Sequence, residues 1–164
     1  MDGKQAGARD YRALVGEIER MPQIIEGLLA GVQESNLRER PLDQPWSILE
    51  HICHLRDIEQ EGYRIRITKM LTEAHPFLTD LDGDKLAEER DYINQDFKSA
   101  LKDFVDARVL NVRAIRDLSP DQLSKQGMFE NVGPINMLEL LIKMREHDHG
   151  HITDLTKLCD GFRA

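Results

Sequence analysis

The sequence predicts an all-α fold, a four-helix bundle, and three observations carry that expectation. Aromatic residues make up only 5% of the chain against 40% hydrophobic, a balance that suits helices better than sheets, which favour aromatic and β-branched side chains. Four long segments, about 9–34, 47–72, 94–118 and 136–160, repeat their apolar residues at the helical period. The connection between the second and third segments, roughly 73–93, is long enough to cross the bundle, so it predicts an up-down-down-up order rather than simple alternation. At 164 residues the chain is the size of one domain and is read as a single unit, 1–164.

The first segment holds "YRALVGEIERMPQIIEGLLAGV", with Pro22 inside it. A proline there should kink the helix or restart it, because it lacks the N–H the helix interior needs. The second follows "PLDQPW". Ser47 and Glu50 have the spacing of a capping box, and Ile48, Ile52, Leu55 and Ile58 form its apolar side. Within the crossover a short helical turn is expected around 84–91. Asn94 is the expected N-cap of the third segment, which ends before the natural break at Ser119-Pro120. "GPIN" punctuates the entry to the fourth, with Asn136 as N-cap and Glu139 as its capping-box partner. Met137, Leu140, Leu141, Met144, Leu155 and Leu158 then fall in one helical stripe.

Composition narrows the function. The net charge of −8 repels nucleic-acid backbones and anionic membranes, so neither is an expected partner. The N-terminal stretch "MDGKQAGARDY" has no apolar core and no apolar run approaches membrane-spanning length. Cys53 and Cys159 are too few for a disulfide framework or a cysteine zinc cluster, and both read as helical packing residues. The expected setting is cytoplasmic.

The chemistry lies in the histidines. "REHDHGHITDL" places His147, His149 and His151 at alternate positions. On a strand all three would share a face. On a helix only His147 and His151 do, one turn apart, while His149 faces away. The segment is far longer than a strand, so the triplet reduces to an i, i+4 pair inside the apolar stripe. Such a pair is a two-ligand platform for a metal ion. A second cluster, "HICHL", puts His51 and His54 early in the second helix, and facing helices of a bundle build metal centres in this way. On the helical wheel His51 lies nearer the middle of the apolar stripe and His54 flanks it, so the wheel leaves both open as the third ligand.

"PWSILEHICHLRDIE" together with "KMREHDHGHITDL" resembles the DinB/YfiT-like superfamily of bacterial four-helix bundles, and the likeness extends over nearly the whole chain. The resemblance implies an up-down-down-up bundle that binds a divalent metal through three histidines. Matched by motif these are His54, His147 and His151. It further implies a small-molecule chemistry, since some relatives resemble thiol-dependent S-transferases, one resembles a metal-dependent hydrolase, and many have no assigned activity. A homodimer is expected on the same grounds.

Three neutral imidazoles leave a coordination position open, which suits activation of a water or a low-molecular-weight thiol. Zinc or nickel is the expected ion among those that imidazole binds. Asp148 and Glu59 are the candidate carboxylates for the second N–H of a metal-bound imidazole. Against that stand a solvated charge at Asp148 and an ion pair of Glu59 with Arg66. His51, if not a ligand, is a supporting histidine, His149 a surface residue, and Trp46 an anchor for the start of the second helix. The sequence thus favours a metal-dependent transferase or hydrolase over a metal-stabilised binding module, and both over a plain bundle.

Overall fold

The structure is a computed structural model that describes residues 3–163. Its four long helical rods correspond to the four periodic segments: α1 (Gly3–Leu29), which ends short of the expected 34 with Glu34–Arg38 in a separate 3-10 turn, a composite second rod, α5 (Phe97–Ile115) and α7 (Met137–Arg163). Pro22 lies inside α1, which is a single helix throughout. The second rod consists of α2 (Ile48–Asp57), a π-helical turn over Ile58–Tyr63, and α3 (Arg64–Thr72). The predicted capping box at its start forms. The Ser47 hydroxyl accepts from Glu50 N, and the Glu50 carboxylate accepts from Ser47 N at 2.8 Å. Asn136 and Glu139 make the same exchange at the head of α7, at 2.9 and 2.7 Å.

Between the second and third rods lie β1 (Phe77–Leu78) and α4 (Gly83–Glu89), the latter close to the expected turn. The cap of α5 differs from expectation. Asp96 holds Ser99 N at 2.8 Å, whereas Asn94 sits in a short 3-10 turn with its amide on Asp91. Two acidic or amide residues two positions apart are equivalent caps on paper, and the extra turn decides between them. After α5, Ser119 caps the short α6 (Pro120–Leu123).

A small sheet accompanies the helices. β2 (Gln126–Phe129) and β3 (Gly133–Asn136) form an antiparallel hairpin, and β1 adds to β2 in parallel. The "GPIN" stretch is therefore a strand that runs directly into α7. Gly133 at φ +102° and Asn131 at φ +63° supply the left-handed positions of the turn. Pro134 is tolerated because β3 is an edge strand.

Long-range contacts give the register of the rods. Arg145 and His149 of α7 lie against Glu17, and Arg163 donates to the carbonyls of Leu28 and Ala30. Tyr11 near the start of α1 bonds the Ile115 carbonyl at the end of α5. His51 and His54 of α2 meet His151 and His147 respectively. Two apolar cores fill the bundle, one around Ile18, Ile58, Val112 and Met144, the other around Met21, Leu55, Phe104 and Leu155. On α5 and α7 the buried polar residues Arg108 and Asp148 fall between residues of one core and residues of the other.

Candidate metal centre

The early turns of α2 lie level with the middle of α7, and this brings three imidazoles together. His54 Nε2 is 3.1 Å from His147 Nε2, and His147 Nε2 is 3.2 Å from His151 Nε2. The three ligand atoms all lie within 4.8 Å of one another. Nitrogens bound to one tetrahedral ion at 2.0–2.1 Å would stand about 3.3 Å apart, so the spacing fits a single small cation. A neutral imidazole carries a single N–H, and with that proton on Nδ1 its Nε2 lone pair is free to face the convergence point. Burial first, then neighbouring imidazoles, hold His54 and His151 down to about 3 and His147 well below its ordinary value. All three therefore present lone pairs rather than positive charge at neutral pH.

His51 has a different place. Its Nδ1 is 2.9 Å from Nδ1 of His151, on the far side of that ring from the convergence point. When His151 offers Nε2 to an ion, its Nδ1 carries the proton and donates to His51. His51 then keeps its own proton on Nε2, which has no partner among the described residues. Trp46 packs over the cluster, with ring centroids 4.8 Å from His54, 5.4 Å from His51 and 6.2 Å from His151. Gly83, the first residue of α4, closes the other side. A Cβ there would sit 2.7 Å from His54 Cε1 and 2.9 Å from its Nδ1, so only glycine lets the crossover come this near the ring.

The histidines open onto a cleft of about 480 Å³. Its walls include Tyr63 and Arg66 from the second rod, Phe129 and Val132 from the hairpin, and Lys143 from α7.

A family model of the DinB superfamily matches residues 17–155. The chain belongs to the DinB superfamily. No curated protein matches the sequence. Among solved structures, YfiT from Bacillus subtilis, described as "a probable metal-dependent hydrolase with an unusual four-helix bundle topology", matches with a TM-score of 0.81. The two are 21% identical, and the match covers 90% of this chain and 85% of that one. It shows that this DinB-superfamily protein shares the four-helix bundle fold.

Other sequence expectations for the DinB-superfamily chain resolve as follows. His149 is exposed beside Glu17, as the helical period requires. Cys53 is buried, with its sulfur directed at Tyr92 O and Gln95, away from the histidines. Glu59 and Asp148, the two carboxylates expected to support the imidazoles, instead hold Arg108. Arg108 Nη2 lies 2.7 Å from Glu59 Oε1 and 2.8 Å from Asp148 Oδ1, and Nη1 donates to Asp148 Oδ2 at 2.7 Å and to Ile18 O at 2.8 Å. Asn111 takes the other Glu59 oxygen at 2.7 Å. A guanidinium with 1% exposure draws both carboxylates to it, because a buried charge must be matched. The alternative pairing of Glu59 with Arg66 does not form, and Asp148 is buried rather than solvated. Sequence reasoning passed over Arg108, whose only signal was a charged residue on the buried side of α5 near Phe104 and Val112. Burial holds Glu59 and Asp148 above the usual carboxylate range, Arg108 opposing that rise in each case.

Proposed function

We propose that this chain is a metal-dependent enzyme that binds one divalent ion, zinc or nickel, through Nε2 of His54, His147 and His151. The convergence of three neutral imidazole nitrogens at the base of a solvent-open cleft is the observation that carries this reading. When bound, the ion supplies Lewis acidity to a water or a low-molecular-weight thiol at its remaining position, so both hydrolysis and thiol transfer to a small electrophile are within reach. The chain's own residues position and desolvate. His51 fixes the tautomer of His151, Trp46 and Gly83 restrict the His54 ring, and the apolar walls at Phe129 and Val132 exclude water from part of the cleft. YfiT, as described, favours the hydrolytic branch. An up-down-down-up order of one domain spanning 1–164 is the arrangement we infer for it. The supporting contacts are α7 following α1 in register, and α2 meeting α7 in reverse.

A second reading, a metal-stabilised module without turnover, draws on Glu59 and Asp148 being committed to Arg108, which leaves no carboxylate among the described residues hydrogen-bonded to the imidazoles as a general base. Metal analysis of purified, zinc-loaded protein should give about one ion per chain, retained in His149→Ala and lost in His147→Ala. Full occupancy in His147→Ala removes the site assignment. Chelation should also abolish ester hydrolysis or thiol conjugation to an electrophilic dye. Absence of both activities in the loaded protein leaves the module.

A further inference from the structure

Among the described residues two arginines are buried, and their ion pairs differ in quality. Arg108 lies between two carboxylates at hydrogen-bond distance. Arg66 is 4% exposed, yet its Nε and Nη2 both donate to one backbone carbonyl, Thr79 O, at 3.1 and 2.9 Å. Its nearest carboxylate, Asp80, is 3.6 Å away and about half exposed. Nη1 has no hydrogen-bond partner among the described residues, and the residue lines the cleft above the histidines. The guanidinium lies over the Phe129 ring, 4.6 Å from its centroid, with the Tyr63 ring at 5.5 Å. Buried cations in folded proteins are closely paired, and one whose ion pair is long and half exposed keeps capacity for a second anion. The two charges respond accordingly. Burial depresses the Arg66 guanidinium, whereas the carboxylates around Arg108 raise it despite burial.

Two further donors share the cleft. Tyr63 is 5% exposed and its hydroxyl makes no hydrogen bond among the described residues. Lys143 is half-buried with no ion-pair partner among them. The acidic side chains on the cleft, Asp80 and Glu146, are exposed, where water screens them.

We propose that Arg66 is the specificity-determining residue of this cleft and binds the carboxylate of a small substrate or thiol whose reactive end reaches the three histidines. The proposal rests on the metal-centre reading above. A carboxylate at Nη1 gains a charge-assisted hydrogen bond to a largely buried guanidinium, which a neutral amide of the same shape does not. The ligand class is therefore a short bifunctional molecule, a mercaptocarboxylate or the monoester or amide of a diacid, rather than a neutral or cationic one.

Matched acid and amide pairs test it on zinc-loaded protein by calorimetric titration. One series anchors through a thiol, from mercaptoacetate to 4-mercaptobutyrate with the corresponding amides. The other anchors through a hydroxamate, with the monohydroxamates of succinate and glutarate against their amides. At one chain length or more the acid should bind roughly tenfold tighter than its amide. Arg66→Gln should bring the acid to parity with the amide while leaving the amide's affinity in place, and Arg66→Lys should restore part of the preference. Equal affinity of acid and amide throughout both series in the unaltered protein overturns the proposal without any variant being needed. Acid preference in the hydroxamate series, with no thiol binding at all, upholds Arg66 and removes the thiol branch of the proposed function. Failure of both anchors removes the metal-centre reading and this one with it.

Discussion

Arg108→Met removes the cation from a layer that holds two carboxylates out of water. Arg108 makes hydrogen bonds to Glu59, Asp148 and the Ile18 carbonyl, tying α5 to the π turn, α7 and α1. Met is of similar length and fits the apolar neighbours, so the cost is mainly electrostatic. Breaking one partner out of a buried ion network costs about 3–5 kcal/mol, because the uncompensated charge stays behind. For a chain of this size each kcal/mol lowers Tm by about 2–4 °C, so the loss should be roughly 6–20 °C.

The pH dependence of that loss is a second check. Burial already raises the pKa of Glu59 and Asp148, and removing Arg108 raises both further. A carboxyl whose folded pKa exceeds its unfolded value stabilises the fold below the unfolded value, about 4, and loses that contribution as pH rises through the folded one. The deficit of Arg108→Met relative to the unaltered protein should therefore grow from pH 5 to pH 8, measured by urea denaturation. The triple variant Arg108→Met/Glu59→Gln/Asp148→Leu removes every charge and should recover at least half the loss. A deficit under about 1 kcal/mol at pH 7, or a triple variant no better than the single, refutes the account of the layer as charge compensation.

His51→Phe removes the acceptor from His151 Nδ1 and should weaken zinc binding about 10–100-fold, whereas His51→Gln, whose amide oxygen can accept, should lose less. Equal affinities for both variants, read with a competing chelator, would show that the hydrogen bond does not orient the ligand. Gly83→Ala places a methyl 2.7 Å from the His54 ring, so it should lower metal affinity about tenfold or more; an unchanged dissociation constant would mean that the crossover yields instead. In metal-free protein, burial together with neighbouring imidazoles holds His51 at about 4, His54 and His151 at about 3, and His147 well below 6.5. Folded values below the unfolded one mean full stability above pH 6.5, lost as pH falls toward 4, at up to about 1.4 kcal/mol per pH unit for each histidine. A urea midpoint that is flat between pH 7.5 and 5 would contradict a buried neutral cluster.

Long-period features were readable from sequence and junctions were not. The i, i+4 rule separated His147 and His151 from His149 because a 27-residue helix leaves no doubt about phase. The capping boxes at Ser47 and Asn136 were equally plain, since they are local. The hairpin over 126–136 escaped because its strands are four residues each and carry little alternation. Of its turn residues, Gly133 was absorbed into the expected helix entry as part of "GPIN". The partners of Glu59 and Asp148 escaped for another reason. A charged residue competes for the best counter-ion in three dimensions, and Arg108 lies about 40 to 50 residues from either carboxylate.

The location of Tyr63 and Arg66 turns on one local irregularity, the π turn at Ile58–Tyr63. In a straight α-helix, at about 100° per residue, Tyr63 lies about 180° and Arg66 about 120° around the rod from His54. Both would then face away from the metal centre. A turn closed i→i+5 advances only roughly 82° per residue, so the five steps from Ile58 to Tyr63 withhold about 90°. Tyr63 comes to about 90° from His54, and Arg66 to about 30° from it. The contacts agree. The Tyr63 ring lies 6.0 Å from that of His147, and Arg66 shares the cleft with His54. Glu59, at the start of the same turn, meets Arg108 and Asn111 of α5. One added residue in a helical turn thus divides the second rod into a half that carries histidines and a half that carries the cleft-lining donors, aligning two faces that a regular helix would hold apart.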